Sequence, residues 1–130
     1  MSKENNDSNL GAEQINALAS EIYHLLLKHK LWVDVTIYFN GMALSTEKKE
    51  CGKYCYAYNT APFILTDEDP QNYFEYVNPE HILSMSFEGP FYAVMDSMCG
   101  PIYDEFVALL ESYGVHYELG NAWNLTLYKI

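Results

Sequence analysis

Residues 32–45, WVDVTIYFNGMALS, decide the fold. Val33, Val35, Ile37 and Phe39 alternate with Trp32, Asp34, Thr36 and Tyr38. A period of two places one set on each face of a strand. Asn40-Gly41 follows at once, and a type I′ turn needs positive φ at both central residues, which this pair tolerates best. Met42 to Ser45 is therefore the return strand of a hairpin.

Upstream, Ile15, Leu18, Ile22, Leu25 and Leu26 recur every three or four residues, which predicts an amphipathic helix over residues 12–29. Lys28, His29 and Lys30 close it with positive charge, as its dipole favours. Downstream, Thr46 to Gly52 (TEKKECG) reads as a polar loop. Tyr54, Tyr56 and Tyr58 alternate with Cys55 and Ala57, giving a third strand with a tyrosine face that Pro62 ends or confines to an edge. Asp69 and Pro70 fit the N-cap and first position of a short helix over 70–76, broken at Asn78-Pro79.

Residues 82–88 alternate again, with Leu83, Met85 and Phe87 on one face. Gly89-Pro90 is a junction before a short helix from Phe91 to Met98. Gly100-Pro101 repeats the device before a helix containing Ile102, Phe106, Leu109, Leu110 and Tyr113, which Gly114 stops. Val115, Tyr117 and Leu119, a Gly120-Asn121 turn, and Trp123, Leu125 and Leu127 predict a closing hairpin. Helices at the ends of antiparallel strands define an α+β fold: one antiparallel or mixed sheet of about five to six strands, with the N-terminal helix and a helix of the C-terminal half on one face. Residues 1–11 read as a flexible polar N-terminus and 12–130 as a single domain.

Composition narrows function. The chain has 18 acidic residues against seven cationic ones, all lysine, for a net charge of −11. Phosphate contacts need Lys and Arg, so direct nucleic-acid binding is disfavoured. With no arginine, the bidentate fork for phosphate or carboxylate is missing too. No apolar run reaches membrane-span length, the N-terminus lacks a signal-peptide pattern, and three cysteines without framework spacing suit a reducing compartment. These features predict a cytoplasmic protein, with self-association through a sheet edge compatible with the pattern.

Catalytic and cofactor motifs are not found. Cys51 and Cys55 lack a second zinc knuckle, and Cys55 is expected on the inner face of its strand. His24, His29, His81 and His116 show no HExxH spacing, and Cys99 with a distant histidine is no more than any such composition permits. Asp67, Glu68 and Asp69 lack the calcium-loop pattern, and the glycines form no nucleotide motif. Glu88 and Glu118 fall on the solvated face of their strands. No catalytic residue, cofactor or metal is therefore assigned.

What stands out is tyrosine, 12 residues of 130, a side chain enriched at interfaces. Tyr54, Tyr56 and Tyr58, with Glu88, Phe91 and Tyr92 of the EGPFY segment, are the candidate interaction residues. The expectation is a non-enzymatic, acidic protein-interaction module. An inhibitor or immunity-type protein that docks a basic partner would fit it. The alternative is a small-molecule protein or enzyme with an aromatic-lined pocket for a neutral or cationic ligand.

Overall fold

The computed structural model describes residues 10–68 and 81–130. The expected helix over 70–76, with its Asp69-Pro70 start, lies outside the described residues. Helix α1 (Ala12–Lys28) is followed by strands β1 (Val35–Phe39), β2 (Met42–Ser45), β3 (Glu47–Glu50), β4 (Lys53–Tyr56), β5 (Phe63–Thr66) and β6 (Leu83–Phe87). Helices α2 (Pro90–Ser97) and α3 (Pro101–Ser112) lead to strands β7 (Val115–Asn121) and β8 (Asn124–Lys129). Six strands form one antiparallel sheet in the order β5-β2-β1-β6-β8-β7, and β3 and β4 form a separate hairpin. The α+β architecture read from the sequence is the one the chain adopts. Among the described residues, no helix is long and apolar enough to cross a membrane.

The β1–β2 turn has the geometry the Asn-Gly pair predicts, with φ of 50° at Asn40 and 75° at Gly41. The Asn40 amide also donates to the Ala12 carbonyl at 2.9 Å, tying the turn to the start of α1. One face of the sheet is apolar. Val35, Ile37 and Phe39 of β1, Leu83, Met85 and Phe87 of β6, and Leu125 and Leu127 of β8 are all buried there. Leu18, Ile22, Leu25 and Leu26 of α1 cover them, as do Phe91 of α2 and Phe106 of α3. Each such side chain contributes about 1.5–3 kcal/mol by leaving water.

The proline at the first position of α2 and of α3 costs no hydrogen bond, because that amide has no intrahelical partner. Met98, at φ 54°, ends α2, and Gly100, at φ 106°, turns the chain into α3. Gly89, the N-cap of α2, is required for another reason. A Cβ there would stand 2.2 Å from the Val33 carbonyl oxygen, so the β6–α2 corner lies directly on the connector before β1. The Glu88 amide donates to the Asp34 carbonyl at 3.0 Å beside it.

Several expectations need correction. The alternation of residues 32–39 holds only from Val35. Lys30 and Asp34 have φ of 59° and 54°, which breaks the strand phase and turns Trp32 into the core, fully buried. Thr46 to Gly52 is not simply a loop, since Glu47–Glu50 is strand β3. Strand β5 was not foreseen. The last hairpin turns at Ala122-Trp123 rather than Gly120-Asn121, with a bulge between Leu119 and Asn121. Gly120 admits the Asn124 side chain, whose Oδ1 would lie 2.3 Å from an added Cβ. Trp123 packs with Tyr38, Ala43 and Leu65, apart from Leu125 and Leu127.

Candidate functional site: a tyrosine-walled cleft

The sheet face opposite the helices carries mostly small polar side chains, with Tyr38 and Ala43 among them. Asn124, Ser86, Thr36 and Ser45 form one cross-strand row, and Thr126, Ser84, Tyr38 and Ala43 the next. The hydroxyls satisfy one another. Thr36 pairs with Ser45 at 2.8 Å and Ser84 with Thr126 at 3.0 Å. Such pairs let the polar face be buried without the cost of unpaired groups. Ser45, Ser84 and Thr126 are indeed buried.

The β3–β4 hairpin rises beside this face from a fixed base. Buried Thr46 donates its amide to the Val35 carbonyl and accepts Ala57's amide at its own carbonyl, while its Oγ1 accepts the Val35 amide. Trp32 and Asn59 exchange two further bonds: the Asn59 amide donates to the Trp32 carbonyl, and the Trp32 amide donates to Asn59 Oδ1. The base is tied to the sheet by these bonds, but both strands of the hairpin project into solvent.

Tyr54, Tyr56 and Tyr58 form a ladder along β4 and its continuation. Their ring centroids are 6.5 Å apart between Tyr54 and Tyr56, nearly parallel, and 5.9 Å apart between Tyr56 and Tyr58. They are 56%, 56% and 44% exposed, among the most exposed large side chains of the described residues. The ladder ends where the Tyr58 hydroxyl donates to Asp34 Oδ1 at 2.8 Å. That bond, more than burial, pushes the Tyr58 phenol up to about 12. At the other end, Lys49, directly across from Tyr54 in the register, holds its ammonium 5.7 Å from the Tyr54 ring centroid.

Between hairpin and sheet lies a cleft of about 560 Å³. Thr36, Tyr38 and Ser86 form its floor; Glu47, Lys48, Lys49 and Tyr54 form the hairpin wall; Leu65, Glu68, Glu88 and Trp123 complete the rim. Three carboxylates thus meet two ammonium groups and three aromatic rings. The hairpin's own charge is not acidic, because Glu47 and Glu50 are outnumbered by Lys48, Lys49 and Lys53. The tyrosines therefore sit on a lysine-rich segment, and the carboxylates facing the cleft come partly from elsewhere, with Glu88 at the end of β6 and Glu68 after β5.

The predicted interaction residues separate into three groups. Tyr54 and Glu88, 34 positions apart in the chain, both line the cleft, while Tyr56 and Tyr58 continue the ladder beyond its lining. Tyr92 is exposed on α2 but does not line the cleft. Phe91 is a correction: it is fully buried, edge-on to Phe87 at 5.5 Å and to Phe106 at 5.2 Å, and cannot touch a partner. Missed from the sequence were Trp123, Tyr38 and Lys49; the last was the more accessible, since Cys51-Gly52 is itself a two-residue turn, with φ of 51° and 78°.

Cys51, Cys55 and Cys99 are exposed free thiols, so Cys55 does not pack inward as expected. No group of three potential metal ligands occurs among the described residues. His29 and Lys28 both pair with Glu105 of α3, which holds that carboxyl below its ordinary range. Glu118 is exposed on the edge strand β7 and does not join Glu88 at the cleft. A shallower groove of about 430 Å³ between α1 and α3 is lined by Glu21, His24, Lys28 and Glu105.

Two more phenols are held neutral. Tyr113 is pushed up to about 12 by its hydrogen bond to Glu21, and Tyr117 to about 12 by burial and by Tyr103, whose hydroxyl lies 2.6 Å away. A phenol with a raised pKa supports the fold while it stays protonated. This contribution is whole below the ordinary value near 10 and drains away as the pH climbs toward 12. Ultraviolet phenolate absorbance will show a component from Tyr58, Tyr113 and Tyr117 near pH 12, and Asp34→Asn will move the Tyr58 share to lower pH. An unchanged titration in that variant would contradict the Tyr58–Asp34 bond.

No protein-family model, curated protein or solved structure matches the chain.

Proposed function

We propose that the chain is a non-enzymatic interaction module of the inhibitor or immunity type, acting in the cytoplasm, that docks a basic protein partner. The docking surface is the tyrosine ladder together with the cleft that Tyr54 lines. The observation that carries this reading is the ladder itself. Three successive tyrosines of the ladder, about half exposed on a hairpin whose base is hydrogen-bonded to the sheet, keep apolar area in water that a partner would cover. Tyrosine suits such a role because it offers a broad amphipathic surface at low cost in side-chain entropy. The net charge of −11 supports a basic partner, whose approach it would accelerate.

A cleft of about 560 Å³ also falls within the size of small-molecule sites, roughly 300–1,000 Å³. That supports a second reading, a neutral or cationic small ligand held among Tyr38, Tyr54 and Trp123. Affinity capture from the lysate of the source organism, at low and at high salt, separates the two. The first reading expects one dominant basic protein that is lost as salt rises. Captures that are empty at both salt concentrations would favour the small ligand, and capture of an acidic protein insensitive to salt would contradict both.

A further inference from the structure

Lys49 stands at the end of the cleft beside Tyr54, with its ammonium 5.7 Å from the ring centroid. Its ammonium lies over the Tyr54 ring and, among the described residues, forms no salt bridge, whereas Lys48 next to it is paired with Glu50 at 3.0 Å. Tyr54 shares the cleft with the carboxylates of Glu47 and Glu88, and Tyr38 and Trp123 supply further aromatic surface to it. A cleft that holds both an aromatic face and carboxylates attracts a cation through the quadrupole and through charge, and a guanidinium gains more from stacking than an ammonium does. Resting on the docking reading above, we propose that this end of the cleft is a seat for an arginine side chain of a basic protein segment, and that Lys49 is an internal occupant which that arginine displaces.

The chemistry of the seat favours arginine over lysine. The planar guanidinium can lie on Tyr54 and direct its N–H groups to Glu47 or Glu88, while an ammonium can satisfy the ring or a carboxylate in full, but less readily both. The incoming residue must also be extended enough to enter between hairpin and sheet. An arginine-rich, unstructured tail or loop meets that requirement. Displacing Lys49 has a cost, so the internal contact weakens binding of any such segment.

The test uses a fluorescein-labelled hexa-arginine peptide as probe, titrated by fluorescence anisotropy at low salt. Three variants of the full chain are compared: Lys49→Gln, Lys53→Gln and Tyr54→Leu. Both lysine variants change the net charge equally, but Lys53 is paired in register with Glu50 on the hairpin and does not line the cleft. Lys49→Gln is expected to bind the probe about three-fold more tightly than Lys53→Gln, the size of one exposed cation–π contact. Tyr54→Leu is expected to bind it more weakly than the wild type. Circular dichroism confirms that each variant is folded, as substitutions at these exposed positions should leave it.

Equal binding by the two lysine variants, with the wild type weaker than both, would overturn the seat and leave docking through net charge intact. No binding of hexa-arginine to any of the four proteins would overturn the basic partner as well. A hexa-lysine peptide that binds Lys49→Gln as tightly as hexa-arginine does would contradict the preference for a guanidinium.

Discussion

Gly89→Ala will cost the fold about 3 kcal/mol or more, and thermal unfolding will move down by about 10 °C. The methyl group would stand 2.2 Å from the Val33 carbonyl oxygen and 2.9 Å from its carbon, both backbone atoms that no rotamer change can move aside. Relief would need the β6–α2 corner to lift from the connector before β1. That would stretch the Glu88–Asp34 backbone bond and disturb the carbonyl side of the residue whose carboxylate holds Tyr58. The φ of −92° at Gly89 is open to any residue, so the penalty comes from contact and not from backbone strain. Gly11→Ala is the control. Its Cβ would meet only the Gln14 side chain at 4.0 Å, and the change should cost less than about 1 kcal/mol. Equal midpoints for the two variants would contradict the close crossing at Gly89.

Phe91→Ala will cost about 3–5 kcal/mol, while Tyr92→Ala will change stability by less than about 1 kcal/mol. The two residues are adjacent in sequence and similar in chemistry, but a helix turns each side chain about 100° from the last. Phe91 lies against Phe87 and Phe106, both edge-on, and joins α2 to α3 and to the sheet. Its removal leaves a cavity among rings that cannot collapse without moving two helices. Tyr92 is 37% exposed and loses little. Chemical denaturation of both variants measures the difference, and a Phe91→Ala midpoint as high as that of Tyr92→Ala would place the ring outside the core.

These two neighbours also show why the sequence could be read only so far. The EGPFY segment marks a strand-to-helix junction correctly, but which of its two aromatics turns inward depends on how α2 is rotated against the sheet. Likewise, the alternation of Val35, Ile37 and Phe39 is local and legible, while the left-handed backbone at Asp34 is held by bonds from Glu88 and Tyr58, residues distant in the chain. Strand β3 carries EKKE, which has neither alternation nor β-propensity, and exists through its pairing with β4. The last turn shifts because Asn121 Oδ1 accepts the Trp123 amide at 2.9 Å, a local turn that outcompetes Gly120-Asn121.

The candidate site follows the same division. The tyrosine alternation at 54, 56 and 58 is visible in the sequence, and the ladder stands where it predicts. The cleft is not visible, because Thr36, Glu47, Tyr54, Glu88 and Trp123 come together only when the hairpin stands over the polar face of the sheet. Nor does the summed charge disclose that the tyrosines lie on a lysine-rich segment.

On the proposed reading the ladder, and not the charge alone, binds the partner. The most direct measurement is the low-salt capture carried out in parallel with wild-type protein and with Tyr54→Ser/Tyr56→Ser, a pair whose rings are exposed and whose loss leaves the net charge unchanged. The wild type is expected to retain a basic protein, and the variant, equally folded, to lose it. Retention of that same protein in the same amount by both would contradict it.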